Sequence, residues 1–80
     1  MTTTVRPLYT IASEIRNDWA GKVNYGAKPY LDAMQVLEST NDSYGYDSGK
    51  SIVRYFLANA GTWRGEVAKQ IKAELNLMVK

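Results

Sequence analysis

A chain of 80 residues makes one small domain, and with no cysteine it has no disulfide or thiolate metal site to reinforce its core. Histidine is absent too, which removes the commonest general base and the commonest metal ligand together. Net charge is +2, with four residues of each sign in residues 1–40 and the excess in residues 41–80. That falls well short of the basic stripe of a committed nucleic-acid binder.

Residues 1–6 carry no hydrophobic period and are expected to form a flexible tail ahead of a single helical domain over residues 7–80. They lack the apolar core of a secretory signal, and no apolar run approaches the length of a bilayer span. The expectation is a soluble cytoplasmic protein with no membrane partner.

Pro7 suits a first helical turn, where a missing N–H costs nothing. Leu8, Ile11, Ala12, Ile15 and Trp19 then recur on one face of a helix expected from about Pro7 to about Ala20. Ser13, Glu14 and Asn17 take the opposite face, with Asp18 towards its edge. A connector follows with Gly21 and Gly26, and Pro29 opens a second helix. Tyr30, Ala33, Met34 and Leu37 form its stripe, with Leu31 at the border and Val36 off it. Residues 39–46 read as a polar turn segment containing two tyrosines.

From Ile52 to Ala60 only Arg54 and Asn59 are strongly polar. A segment apolar nearly all round predicts a buried central helix over residues 48–60. Asp47 or Ser48 is placed to cap its start, and Gly61 to take the left-handed conformation past its end. In the last helix Trp63, Val67, Ile71, Leu75 and Met78 share a face, widened by Ala68 and Val79. Glu66 in the first turn and Lys80 at the end suit the helix dipole, and Glu66 is spaced to pair with Lys69. The fold class expected is all-α, a compact bundle of about four helices around the central one. A homodimer sharing apolar surface would relieve so small a core.

Few constellations point to chemistry. Gly45-Tyr46-Asp47-Ser48-Gly49-Lys50-Ser51 resembles a phosphate-binding loop, but it has three residues between its glycines where that loop needs four, and no hydrophobic strand precedes it. Asn41, Asp42, Ser43 and Asp47 lack the oxygen spacing and closing glutamate of a calcium loop. Glu14 and Asp18 lie one turn apart on a solvated face, with nothing to bury them and tune them. No catalytic residue, metal ligand or cofactor site stands out, and the reading is non-enzymatic.

Two surfaces remain. Residues 51–75 have the layout of a helix-turn-helix with Gly61 in the turn, and Phe56, Ala60 and Val67 falling where inward residues belong. Gln70 falls where another apolar side chain is usual. Arg64, Lys69 and Lys72 would then face phosphates. Separately, Tyr25, Tyr30, Tyr44 and Tyr46 flank the connectors and suit half-buried caps on the ends of the core; alternatively Tyr25, Tyr44, Tyr46 and Trp63 form an exposed aromatic patch of the kind enriched at interface hot spots.

The runs Leu8-Tyr9-Thr10-Ile11-Ala12-Ser13-Glu14-Ile15, Pro29-Tyr30-Leu31-Asp32-Ala33-Met34 and Tyr44-Gly45-Tyr46-Asp47-Ser48-Gly49 carry a further signal. With Tyr55-Phe56-Leu57-Ala58-Asn59-Ala60-Gly61-Thr62-Trp63-Arg64-Gly65-Glu66, they resemble a family of small uncharacterised helical proteins encoded by tailed bacteriophages and prophages. The resemblance implies an accessory protein acting in the cytoplasm of a bacterial host, and it brings no functional residues with it. The first expectation is therefore a helical binding protein that docks on a host or phage macromolecule, most simply a protein, through Tyr44, Tyr46, Trp63, Arg64, Lys69 and Lys72. The alternative is a DNA-binding regulator using residues 51–75.

Overall fold

The stripe Leu8, Ile11, Ala12, Ile15 and Trp19 turns inward as its period requires, and all five side chains are buried. In the computed structural model, which describes residues 6–19 and 21–79, this stripe belongs to α1 (Leu8–Trp19). Pro7 stands just outside the helix, its carbonyl accepting from the N–H groups of Thr10 and Ile11. Two amides at the helix start, which have no partner inside it, donate across the domain: Leu8 N–H to Glu38 O at 2.9 Å and Tyr9 N–H to Leu37 O at 3.0 Å. Ala20, the expected helix end, lies outside the described residues, as do residues 1–5 of the expected tail.

Arg6 corrects that expectation at its boundary. Its guanidinium bonds Glu74 at 2.7 and 3.0 Å and also pairs with Glu14, joining the start of the chain to its last helix. The two carboxylates, Glu74 foremost, hold Arg6 charged even more firmly than an ordinary arginine. Among the described residues the only other ion pair is Arg16–Asp32, so the expected Glu66–Lys69 pair is not formed.

α2 (Lys28–Met34) carries Pro29 in its first turn and buries Leu31, Ala33 and Met34. Leu31, expected at the border of the stripe, is fully buried, while Tyr30 is only half so. The polar stretch that follows is more than a turn. β1 (Ser43–Tyr44) pairs antiparallel with β2 (Asp47–Ser48), placing Ser43 opposite Ser48 and Tyr44 opposite Asp47. The two-residue tip, Gly45-Tyr46, turns on a positive φ of 64° at Gly45. The protein is therefore mostly helical with one small sheet, a correction to the all-α expectation.

α3 (Gly49–Ala58) starts where the sequence suggests, with the Ser48 side chain accepting the Ser51 N–H at 3.1 Å. It is not buried all round. Ile52, Val53 and Phe56 face inward, Leu57 is half-buried, and Arg54, Tyr55 and Ala58 face out. The physical reason is that tyrosine and alanine count as apolar in a pattern but tolerate water: Tyr55 keeps one side wet while its ring packs 5.4 Å from that of Tyr30. Gly61 does not take the left-handed conformation either; the positive φ falls on Gly65, at 114°, just before the next helix.

α4 (Glu66–Met78) consequently begins later than its apolar period suggests, and Trp63 precedes it. Its buried stripe is Ala68, Ile71 and Leu75, with Val79 just beyond the end, which leaves Val67 39% exposed. The helix has turned towards the edge expected only to widen its face. Glu66 does occupy the first turn, while Lys80 lies outside the described residues.

The helices pack as a ring rather than around one rod: α1 on α2, α2 most extensively on α3, α3 on α4, and α4 back on α1. Across the middle, rings from three elements meet. Trp19 and Trp63 stack at 5.5 Å, and both meet Phe56 edge-on at 6.2 and 6.3 Å. Phe56, fully buried within this cluster, is where packing is least replaceable. Phe56→Ala is expected to cost about 3–5 kcal/mol and Val36→Ser, at a residue left outside, under about 0.5 kcal/mol. Urea denaturation followed by circular dichroism measures both, and equal midpoints for the two variants would contradict the packing.

Candidate partner-binding site

The six residues expected to form one contact surface do not share one. Tyr44 and Tyr46 stand on the hairpin that leads into α3, half-exposed and fully exposed respectively. Trp63 and Arg64 follow the far end of that helix, whose ten residues span about 15 Å, and Lys69 and Lys72 stand on the last helix. Tyr25, 94% exposed, stands in the connector between α1 and α2.

Trp63 is corrected outright: it is 2% exposed and part of the core. Its indole N–H donates to Asp18 Oδ2 at 2.8 Å, so the carboxylate expected merely to face water anchors the ring. Lys72 is also spoken for in part. Its Nζ donates to Trp63 O at 2.6 Å and lies 5.8 Å from the centre of the Trp63 ring. Arg64 and Lys69 are exposed.

This geometry departs from a helix-turn-helix. The connection between α3 and α4 runs from Asn59 to Gly65, longer than the three or four residues of that motif. Val67, assigned inward, faces water, and Gln70 is exposed as its polarity demands.

The concave feature of note was not anticipated. Along the seam of α3 and α4 runs an open groove of about 710 Å³, lined by Arg54 and Leu57 from α3 and by Ala73, Asn76, Leu77 and Val79 at the α4 end. Its walls are mainly apolar. Arg54 Nη2 donates to Val79 O at 2.9 Å, closing the last turn of α4 on a cation that suits the negative end of its dipole. Asn76 donates to Lys72 O at 2.8 Å and stays within its own helix. The signal available in the sequence was Leu77, an apolar residue well off the stripe of its helix.

Elsewhere the structure offers little chemistry. Among the described residues no polar or charged side chain is buried, and no group of three or more acidic side chains is placed to hold a metal ion. No described helix is long and apolar enough to cross a membrane. Comparison with protein-family models, with curated proteins and with solved structures finds no match for this chain.

The indole–carboxylate bond separates a positioning role for Asp18 from a mere surface charge. Asp18→Ala is expected to lower stability by about 1 kcal/mol, against less than about 0.5 kcal/mol for Lys69→Ala. Chemical denaturation followed by tryptophan fluorescence measures both, and an unchanged midpoint for Asp18→Ala would remove the bond from the account.

Proposed function

We propose that this is a non-enzymatic binding protein whose docking site for a partner protein is the groove between α3 and α4. One observation carries the reading. Of the six leucines in the chain, Leu8, Leu31, Leu37 and Leu75 are buried, and the two that are not, Leu57 and Leu77, both line the groove. A lone exposed leucine is ordinary, but Leu77 at 68% exposure beside Leu57 makes a shared apolar surface in a concavity.

The absence of histidine and cysteine supports a role in binding rather than catalysis, since it removes the usual nucleophile–base pairs. The resemblance to small phage and prophage proteins supports a setting in a bacterial cytoplasm, where such a protein would dock on a host or phage component. Tyr44 and Tyr46 lie outside this site and make a separate exposed surface on the hairpin.

Affinity capture from bacterial lysate, using the whole chain as bait, tests the reading. A stoichiometric protein partner is expected that is lost with Leu77→Glu and kept with Tyr46→Ala, the melting temperature of both variants staying close to the parent's. Loss with Tyr46→Ala alone moves the site to the hairpin. Salt-sensitive binding to duplex DNA that disappears in a Lys69→Ala, Lys72→Ala double variant replaces it with the regulator reading.

A further inference from the structure

Arg54 is the charged residue among those that line the groove, and by helical spacing the stripes that carry its lining residues bring further cations. On α3, Lys50, Arg54 and Leu57 follow at i, i+4 and i+7; on α4, Lys69, Lys72, Ala73 and Asn76 follow at i, i+3, i+4 and i+7. Each helix thus brings two cations to the stripe that contains its groove residues. Arg54 and Lys72 bond backbone carbonyls, Val79 O and Trp63 O, and among the described residues neither pairs with a carboxylate. α3 has no acidic residue. α4 has two: Glu74 is held by Arg6, and Glu66 sits in its first turn, about two turns from Ala73.

From this rim we infer that the partner presents an amphipathic helix with acidic residues flanking its apolar face. The inference rests on the groove being the docking site. A helix of about three turns matches the length of the two helices that form the walls, its apolar side chains meeting Leu57 and Leu77 and its carboxylates meeting the four cations. A second copy of this chain fits less well, because an isologous pairing sets the basic rim of one protomer against the same rim of the other. A nucleic-acid backbone would use the cations but leave the leucines without a role.

The test uses the whole chain, labelled with nitrogen-15, and two synthetic 14-residue helical peptides. Both carry leucine at i, i+3, i+4 and i+7; one has glutamate and the other lysine at the flanking positions. The acidic peptide is expected to shift the amide signals of Leu57, Ala73, Asn76 and Leu77, and to bind at least about fivefold more tightly than the basic one. A Lys50→Glu, Lys69→Glu double variant, which changes only side chains outside the core, is expected to remove that preference without altering the melting temperature. Equal binding of the two peptides at the groove overturns the acidic partner and leaves the docking site standing. No groove shifts with either peptide at millimolar concentration overturn both. Self-association of the unliganded chain that Leu77→Glu abolishes assigns the groove to a second copy instead, as sedimentation would show.

Discussion

Three aromatic rings set the geometry on which the remainder depends. Trp19 closes α1, Phe56 sits in the middle of α3, and Trp63 lies in the connection before α4. Each comes from a different stretch of chain, so their mutual packing converts three local elements into one tertiary unit. Beyond the area they bury, paired rings in these arrangements contribute roughly 0.5–1.5 kcal/mol each. In an 80-residue domain without disulfides, that is a large share of the margin. The bond from the Trp63 indole to Asp18 fixes the orientation as well as the position of the ring.

Anchoring Trp63 has a consequence downstream. The chain leaves the ring through Arg64 and Gly65, and Gly65 takes φ 114°, where a β-carbon would meet strain. α4 therefore starts at Glu66 with its phase already set, and Ala68, Ile71, Leu75 and Val79 rather than Val67 turn inward. The same phase points Glu74 towards Arg6 and Ala73 and Leu77 towards α3. The ion pair of Glu74 with Arg6 stands on one side of the helix, while Lys69 and Lys72, which among the described residues pair with no carboxylate, share the stripe of the groove residues. One backbone torsion thus separates the neutralised flank of α4 from the basic one.

How much of this could be read in advance follows the same physics. The α1 stripe was legible because five large or well-placed apolar residues recur without exception, and each is buried. Ser48 was legible as a cap because capping is a local act between a side chain and an amide three residues on. The burial of Phe56 was legible, but the wet side of its helix was not, since Tyr55 and Ala58 are apolar by count and exposed by position. The hairpin escaped because two-residue strands have no period to detect. Trp63 was read both as part of an apolar face and as a surface contact, and the sequence could not choose because its acceptor is 45 residues away and a surface tryptophan and a core one look alike. The candidate contacts chosen by residue type were split between the hairpin, the connection after α3 and α4 itself for the same reason. The groove is a product of how α4 is phased, and only Leu77 hinted at it.

That groove also bears on why the domain leaves apolar surface open at all. Burying a leucine stabilises a fold by roughly 1.5–3 kcal/mol relative to leaving it in water. Leu77, at 68% exposure, contributes little of this, and a lysine or glutamate there would serve folding as well. Nor can α3 and α4 simply close over it. The Arg54 guanidinium lines the groove bonded to Val79 O, and closure would strip water from a charge that pairs with no carboxylate among the described residues. The arrangement that caps α4 is therefore the one that keeps the groove open. A guest that brings its own carboxylates supplies what the domain lacks, since it covers the leucines and gives the cation a counter-charge in one step.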